Sequence, residues 1–325
     1  MPVQSRVDAG RREQYVHRMN SVAVMGAGGV GGHYGAVLAQ AGRKVAFIAR
    51  GAHLAAMRSS GLTVERDGLP TIVLPEVVAT DDPAAVGPVD LVLFTPKAFD
   101  LEVAAEQIAP LLGPGSAVLP LLNGIDIADR LAAVIGREPV LAGICQISSN
   151  IARPGLIRQV GPLNRIVLGE VEGGLSPRAE AIGHFLREAG IRAEVSERMK
   201  DEVWKKFYFL DPMASACALT GAAIGPVRED PDTRALLLAC LEEVRGLGEA
   251  EGVSLPTPAE AITALERLPA DVKPSLLHAL ERGAPLEIDI LPGAVVRLGR
   301  RRGIPTPTHA LIYAALKFKA SGRRP

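Results

Sequence analysis

The sequence predicts an α/β protein in which an N-terminal domain built on a parallel sheet precedes an all-helical C-terminal domain. Three observations predict this class. Short apolar segments alternate with helical patterns up to about residue 195, a glycine-rich turn joins the first strand to the first helix, and helical patterns alone follow. The 325 residues suffice for about two domains, each with a core of its own. We therefore expect a sheet domain at residues 21–195 and a helical domain at residues 196–325.

The first elements follow one another as strand, turn, helix and strand. Residues 21–32 are a short β-branched run that ends in glycines, residues 35–42 form a helix that Gly42 closes, and residues 44–50 form a second buried strand. Further apolar strands are expected at residues 71–79, 90–97, 116–123 and 138–148. Helices cover both faces of a parallel sheet, so short and fully apolar strands are typical of it.

The C-terminal part has a helical pattern. Residues 196–221 form one long helical stretch, and residues 232–252 form another. A further helix is predicted to open at Glu287 and to bend at Pro292. Its inward face would consist of Ile288, Leu291, Val295 and Leu298. An acid in a first helical turn is favoured by the helix dipole alone, so pattern gives Glu287 no function by itself.

Composition excludes several classes of protein. Lysine plus arginine equals aspartate plus glutamate at 36 each, which disfavours a nucleic-acid binder or a protein bound to anionic lipid. No apolar run is long enough to span a membrane. The three cysteines are far apart, which fits reduced thiols in a cytoplasm. The polar residues 1–20 are expected to be a disordered tail or an over-extended start, and a transit peptide is less favoured.

Two kinds of site are also disfavoured. The histidines share no metal-binding spacing and no C-x-x-C is present, so no metal site is expected. The chain has no G-x-S-x-G segment and no Cys/His pairing that would support a hydrolase.

A G-x-G-x-x-G segment lies between the first strand and the first helix. It consists of Gly26, Ala27, Gly28, Gly29, Val30 and Gly31. In this context the first glycine makes a tight turn, the second lets the backbone approach a pyrophosphate, and the third lets helix and strand pack closely. The pyrophosphate would bind at the helix N-terminus. A glycine turn without a ligand is the alternative, and the strand–turn–helix context favours a dinucleotide site of the Rossmann type.

The end of the second strand indicates which dinucleotide binds. A site for NAD usually places an acid there, about 20 residues after the turn, to bind the ribose 2′-hydroxyl. This chain has Arg50 at that place. A guanidinium group suits a 2′-phosphate, so NADPH is expected, with a solvated surface arginine as the alternative.

The helical stretch after Ser196 contains two adjacent lysines. On a helical wheel Lys206 falls at the edge of the apolar face, whereas Lys205 points nearly opposite. That apolar face consists of Met199, Val203, Phe207 and Leu210. Desolvation lowers the pKa of a lysine toward that of a useful general acid. Pattern alone leaves two interpretations equal: Lys206 as a general acid, or a surface pair with Glu202.

These features together resemble the ketopantoate reductases (2-dehydropantoate 2-reductases) over nearly all of residues 21–320. The segments that carry the resemblance are residues 25–42 with 48–54, residues 91–100, residues 121–127, and residues 204–207 followed by 275–307. The resemblance implies an N-terminal Rossmann domain and a helical C-terminal domain. It also implies reduction of a 2-oxo acid by NADPH, most favourably 2-dehydropantoate in pantothenate biosynthesis.

The resemblance also implies roles for individual residues. Lys206 would be the general acid, and Glu287 would hold the region of the reacting oxygen and the nicotinamide ribose. Asn123 would contact both cofactor and substrate. Ser275 would help to hold the substrate. Lys97 would lie beside the cofactor phosphate or ribose.

One further position matches more loosely. Ser149 falls near a place in the family where the backbone meets the nicotinamide. The expected partners are thus NADPH and a small 2-oxo acid, and the sequence leaves monomer and homodimer open.

Departures from the family pattern bear on the identity of the substrate more than on the type of reaction. Leu210 stands where ketopantoate reductases often have a substrate-binding asparagine, and Ala279 replaces a frequent aspartate. We expect Leu210 to line the substrate site, which leaves another branched 2-oxo acid as an alternative substrate. Two other functions stay open: a 3-hydroxyisobutyrate-type dehydrogenase, which Leu210 disfavours, and a redox-sensing NADP-binding module.

Overall fold

A computed structural model describes residues 19–322, so residues 1–18 of the expected tail lie outside the described residues. The chain divides into two compact units. Unit 1 comprises the residues up to Leu122 together with Ile127–Met199, and unit 2 comprises Asn123–Asp126 and Lys200–Pro325. The passage after Met199 lies four residues beyond the boundary expected at residue 195, and the short segment Asn123–Asp126 had been assigned to the first domain.

Unit 1 is built on two sheets. Its strands in the described chain are β1 Ser21–Met25, β2 Lys44–Ile48, β3 Leu62–Arg66, β4 Leu69–Leu74, β5 Val78–Thr80, β6 Val89–Phe94, β7 Leu112–Pro120, β8 Ala142–Arg153, β9 Leu156–Gly169 and β10 Arg192–Val195. Its α-helices are α1 Gly29–Gln40, α2 Gly51–Ser60, α3 Leu101–Gln107, α4 Ile127–Ile135 and α5 Pro177–Glu188.

The first sheet is the parallel sheet that the sequence predicts. Its strand order is β5-β2-β1-β6-β7, and every neighbouring pair is parallel. Four of the five residues in β1 and in β2 are buried, and so are five of the six in β6. Burial on both faces explains why these strands consist of continuous apolar runs. With β1 near the centre, the turn that follows it lies at the carboxyl edge of the sheet, where α/β proteins bind their ligands.

The second sheet corrects the expectation that the strands of this domain form one parallel sheet. Its order is β10-β9-β3-β4, and β8 pairs with β9. The pairs β3–β4 and β8–β9 are antiparallel. Thus the apolar runs expected at residues 71–79 and 138–148 contribute β4 and β8 to this mixed sheet. The first half of β9 alternates buried with exposed residues, which is typical of a strand with one solvated face.

Helices and the loops between them make up the described residues of unit 2. Its α-helices are α6 Met199–Thr220, α7 Ile224–Glu229, α8 Pro231–Ala250, α9 Pro258–Leu265, α10 Ser275–Glu281, α11 Pro292–Arg302 and α12 Pro307–Lys317, with the first residue of α6 still counted in unit 1. Helix α8 packs against α9, α11 and α12. None of the helices between residues 19 and 322 is long and apolar enough to cross a membrane.

The helix predicted to open at Glu287 begins later. Helix α11 starts at Pro292, and residues 288–291 form a turn. Proline has no N–H to donate and its fixed φ suits the first helical position, so Pro292 begins the helix and does not bend it. Glu287 therefore lies in an irregular segment before α11, where its main chain is not constrained to a helix.

Candidate active site

The glycine-rich turn of unit 1 has the geometry of a dinucleotide loop. Gly26 follows β1 with φ of +93°, a value that L side chains rarely adopt, so glycine is needed for the chain to turn there. The hydroxyl of Thr95, at the end of β6, donates to the Gly26 carbonyl oxygen at 2.8 Å. Helix α1 then begins at Gly29 with Gly28 as its N-cap residue. Its first N–H groups have no intrahelical partner, which makes this end suited to an anion.

The other glycines of the turn differ in what surrounds them. A Cβ on Gly31 would lie 2.6 Å from the Gly26 carbonyl oxygen, and one on Gly29 would lie 2.8 Å from Asn150 Cα. Both positions are closed by the protein itself. Among the described residues, a Cβ on Gly28 would meet only the Gly26 oxygen, at 4.0 Å. Because Gly28 is uncrowded in this part of the chain, its lack of a side chain leaves room on the open side of the turn, as a bound pyrophosphate requires.

Three further residues expected at the cofactor lie in unit 1. Arg50 is the exposed N-cap residue of α2, and its Nη2 donates to Gln107 Oε1 at 2.7 Å. Lys97 is exposed in the turn after β6. Ser149 lies on β8 and donates from Oγ to the Gly29 carbonyl oxygen at 2.9 Å, so it contacts the glycine turn directly.

The central contact of unit 2 joins Lys206 to Asn123. Lys206 Nζ donates to Asn123 Oδ1 at 2.8 Å, although 83 positions separate the two residues in the chain. Lys206 is half-buried on α6, whereas Lys205 is exposed, as the helical wheel predicts. Helix periodicity thus places Lys206 against the protein and the preceding Lys205 in solvent.

The remaining residues predicted for the substrate lie at defined places in unit 2. Leu210 is half-buried on α6, one turn after Lys206. Ser275 is exposed at the first position of α10. Glu287 is half-buried in the segment before α11. Of the predicted residues in this unit, Lys206 and Asn123 share a hydrogen bond between their side chains.

A buried charge network, which sequence reasoning missed, anchors α6. His309 of α12 lies between two carboxylates, with Nε2 at 2.8 Å from Asp211 Oδ2 and Nδ1 at 2.6 Å from Glu243 Oε2. His309 and Asp211 are fully buried, and Ser215 Oγ donates to Asp211 at 3.1 Å. Burial acts to lower the pKa of His309, but the charge of Asp211 and the hydrogen bonds to both carboxylates raise that pKa to about 9. The imidazole is therefore charged at neutral pH.

Sequence reasoning missed two other features for different reasons. Thr95 lies within a segment that carried the family resemblance, and a hydroxyl directly after a strand next to β1 was a usable signal. The pair of Asp126 and Arg297, with Arg297 Nη2 at 3.2 Å from Asp126 Oδ2, joins residues 171 positions apart. No local pattern points to such a pair.

The residues of the glycine turn fit a dinucleotide cofactor. The open side of Gly28, the closed positions of Gly29 and Gly31, and the N-terminus of α1 form a cradle for a pyrophosphate. Within residues 19–322, no group of three or more histidine, cysteine, aspartate or glutamate side chains is arranged to hold a metal ion.

A parallel sheet whose first strand leads through such a turn into a helix is typical of the class of dinucleotide-binding proteins. A helical unit with a half-buried lysine follows it along the chain. Comparison with known proteins makes the assignment narrower. The family model "Ketopantoate reductase PanE/ApbA" matches residues 22–173, and the model of its C-terminal part matches residues 198–320. The chain belongs to this ketopantoate reductase family, which confirms the resemblance found in the sequence.

Individual relatives agree with the family. A 2-dehydropantoate 2-reductase of Mesorhizobium japonicum is 33% identical over 93% of this chain and 98% of its own length. The crystal structure of a PanE/ApbA family ketopantoate reductase from Ralstonia eutropha JMP134 has a TM-score of 0.83 and 32% identity, covering 92% of this chain and 98% of that one.

A third structure shares the fold. The ternary structure of D-mandelate dehydrogenase with NADH and anilino(oxo)acetate has a TM-score of 0.83 at 23% identity, covering 92% of this chain and 98% of that one. Membership of the ketopantoate reductase family makes this chain an oxidoreductase, and the likeness to D-mandelate dehydrogenase shows the shared fold.

Proposed function

We propose that this protein reduces a small 2-oxo acid with NADPH, that 2-dehydropantoate is the substrate and pantoate the product, and that Lys206 is the general acid. The reaction would belong to pantothenate biosynthesis. The observation that carries the proposal is the hydrogen bond of 2.8 Å from Lys206 Nζ to Asn123 Oδ1. This contact fixes the position of a half-buried ammonium group, and the amide oxygen that accepts the bond carries no charge of its own.

Each unit would contribute its own part of the machinery. In unit 1 the turn from Gly26 to Gly31 would hold the pyrophosphate, and Arg50 would bind the 2′-phosphate by charge-assisted hydrogen bonds. Lys97 and Ser149 would hold the remaining parts of the cofactor. When bound, NADPH supplies the hydride that C2 of the 2-oxo acid accepts.

The residues of unit 2 would act on the substrate. Reduction of a ketone develops negative charge on its oxygen, and the Lys206 ammonium group would stabilise that charge and donate the proton that makes the hydroxyl. This interaction is stronger in the transition state than in the ground state, so it accelerates the reaction. Asn123 would orient Lys206. Glu287 and Ser275 would bind the substrate by hydrogen bonds.

The experiment that tests the proposal is an assay of NADPH oxidation with a panel of 2-oxo acids that includes 2-dehydropantoate. We expect the highest kcat/KM with 2-dehydropantoate and a loss of turnover in Lys206→Ala. Turnover with none of these acids, or undiminished turnover in Lys206→Ala, would contradict the proposal.

One observation favours a second substrate. Leu210 is half-buried one turn after Lys206, and leucine cannot donate a hydrogen bond to a substrate hydroxyl. A polar substrate group buried without its partner costs about 1–3 kcal/mol. A more apolar, branched 2-oxo acid such as 2-oxoisovalerate would avoid that cost. The same panel distinguishes the two candidates by their ratio of kcat/KM.

A further inference from the structure

The segment that carries Asn123 has a second side-chain link within unit 2. Three residues after Asn123, the carboxylate of Asp126 pairs with the guanidinium group of Arg297, with 3.2 Å between Asp126 Oδ2 and Arg297 Nη2. The side chain of Asp126 is 17% exposed, and its Oδ1 is buried without a hydrogen-bond partner. A carboxylate in such a place depends on its cationic partner, because loss of that partner leaves a largely buried charge unpaired.

Regular secondary structure does not hold this segment. Residues 123–126 form a loop that lies in neither a helix nor a strand, between β7, which ends at Pro120, and α4, which begins at Ile127. Two side-chain contacts join the segment to the helices of unit 2: that of Asn123 with Lys206 on α6, and that of Asp126 with Arg297 on α11. The second contact restrains the loop three residues from Asn123, so it can support the geometry of the first.

We propose that Asp126 and Arg297 are positioning residues for Lys206. Their ion pair holds the segment from Asn123 to Asp126 so that the Asn123 side-chain oxygen accepts a hydrogen bond from the Lys206 ammonium group and fixes its orientation. This inference rests on the proposed function, in which Lys206 donates the proton. It assigns Asp126 and Arg297 a role that acts through Asn123 and Lys206.

The kinetic test uses the full-length protein and the variants Asp126→Asn and Arg297→Met. Each is expected to lower kcat about tenfold, because a proton donor released from its productive orientation loses much of its effect, while KM changes little. Arg297→Lys keeps the charge and should recover most of the activity. Arg234→Met is the matched control, since it breaks a surface ion pair of unit 2 with Glu266 at 3.1 Å. It should leave kcat unchanged.

A double-mutant cycle separates positioning from general loss of stability. If Asp126 acts through Asn123, Asp126→Asn should have no further effect on kcat in the background of Asn123→Ala. Two independent effects that multiply would overturn the proposal. A lower melting temperature in Asp126→Asn with unchanged kcat would overturn it as well.

A second readout does not depend on activity. Reaction of the lysines with an amine-specific reagent is followed by peptide mass spectrometry, with the exposed Lys205 as the internal reference. Asp126→Asn and Asn123→Ala should each raise the rate of modification of Lys206 relative to Lys205. An unchanged ratio would overturn the positioning role. A protein that turns over no 2-oxo acid but shows the changed ratio would contradict only the proposed function.

Discussion

The glycine turn of unit 1 and the region around Lys206 on α6 of unit 2 are built in opposite ways. The turn consists of consecutive residues and works by the absence of side chains: Gly26 allows a positive φ, and Gly31 lets helix and strand approach. The region around Lys206 is assembled from distant residues and works through their side chains, as in the bond from Lys206 to Asn123. A sequence motif can therefore specify the first region, whereas packing must complete the second.

The two regions also differ in the structural elements that hold them in place. Continuous apolar strands of the parallel sheet lie behind the turn, with β1 between β2 and β6. Behind Lys206, helix α6 carries Asp211, which belongs to the buried network with His309 and Glu243. Apolar packing does not titrate, but this network does. The two regions should therefore respond differently to pH, to substitution and to changes of ligand.

The largest effect is expected from Lys206 of unit 2, the proposed general acid. Lys206→Ala should lower kcat by about 10²–10⁴, because a positioned proton donor contributes that much, and should leave NADPH binding nearly intact. The measurement combines steady-state kinetics with a fluorescence titration of NADPH. Lys205→Ala is the matched control and should change little, since Lys205 is exposed. Near-normal kcat in both variants would show that the general acid is elsewhere.

Unit 2 should lose stability as the pH rises. The folded pKa of His309, about 9, lies above its ordinary value of 6.5, so the stabilisation is complete below pH 6.5 and is lost as the pH rises through 9. The loss should be about 3 kcal/mol, because one pKa unit corresponds to about 1.36 kcal/mol. Denaturant unfolding followed by Trp204 fluorescence measures it, since the sole tryptophan lies buried on α6.

His309→Gln provides the control for that pH dependence. It cannot carry the charge, so its free energy of unfolding should be lower at neutral pH and nearly flat between pH 6.5 and 9. The assignment of the charge to His309 would be wrong if the unmutated protein itself were equally stable across this range.

The glycines of unit 1 should separate folding from cofactor binding. Gly31→Ala should lower the free energy of unfolding by about 1–3 kcal/mol, because its Cβ would collide with the Gly26 carbonyl oxygen at 2.6 Å. Gly28→Ala should change that free energy by less than about 0.5 kcal/mol, since the nearest atom that the structure places beside its Cβ is 4.0 Å away.

The same Gly28→Ala variant should bind NADPH about tenfold more weakly, because the methyl group would occupy the space of the pyrophosphate. Circular dichroism and a fluorescence titration measure the two quantities. Unchanged NADPH binding in a stable Gly28→Ala protein would show that the turn has a structural role and does not bind the pyrophosphate.

Cofactor preference should depend on the arginine at the end of β2. We expect NADPH to bind ahead of NADH and Arg50→Ala to remove most of the difference, by about tenfold to a hundredfold, since a charge-assisted phosphate contact contributes about 1.5–3 kcal/mol. Dissociation constants for both cofactors measure the effect. Arg58→Ala, another exposed arginine on α2, is the control. Equal affinity for both cofactors in the unmutated protein would contradict this prediction.

The smallest effect is expected at Leu210 on α6, which is predicted to line the substrate site. Leu210→Asn should shift the ratio of kcat/KM toward 2-dehydropantoate over 2-oxoisovalerate by about tenfold, because the amide can bond a polar substrate group. Leu210→Met keeps the site apolar and should leave the ratio unchanged. If the asparagine variant also leaves it unchanged, Leu210 is ordinary core and does not select the substrate.

Local patterns in the sequence determined much of the fold and part of the site. The strand–turn–helix context of Gly26 to Gly31, the alternation of apolar strands with helices, and the different exposure of Lys205 and Lys206 all follow from periodicity and residue type. These features depend on neighbours within a few residues, so the sequence contains what is needed to predict them. Likewise, four motifs in the right order were sufficient to predict the ketopantoate reductase family.

Tertiary structure alone decided which distant residues meet. The contact of Lys206 with Asn123, the pair of Asp126 with Arg297 and the charged His309 each join separate segments, and no spacing in the sequence encodes them. The mixed second sheet and the start of α11 at Pro292 were missed for a related reason. An apolar run does not specify the direction of its partner strand, and a helix start depends on how the preceding chain packs. Packing determines strand direction and helix starts because the free energy of burial depends on the arrangement of the whole chain. It is not a property of each segment separately.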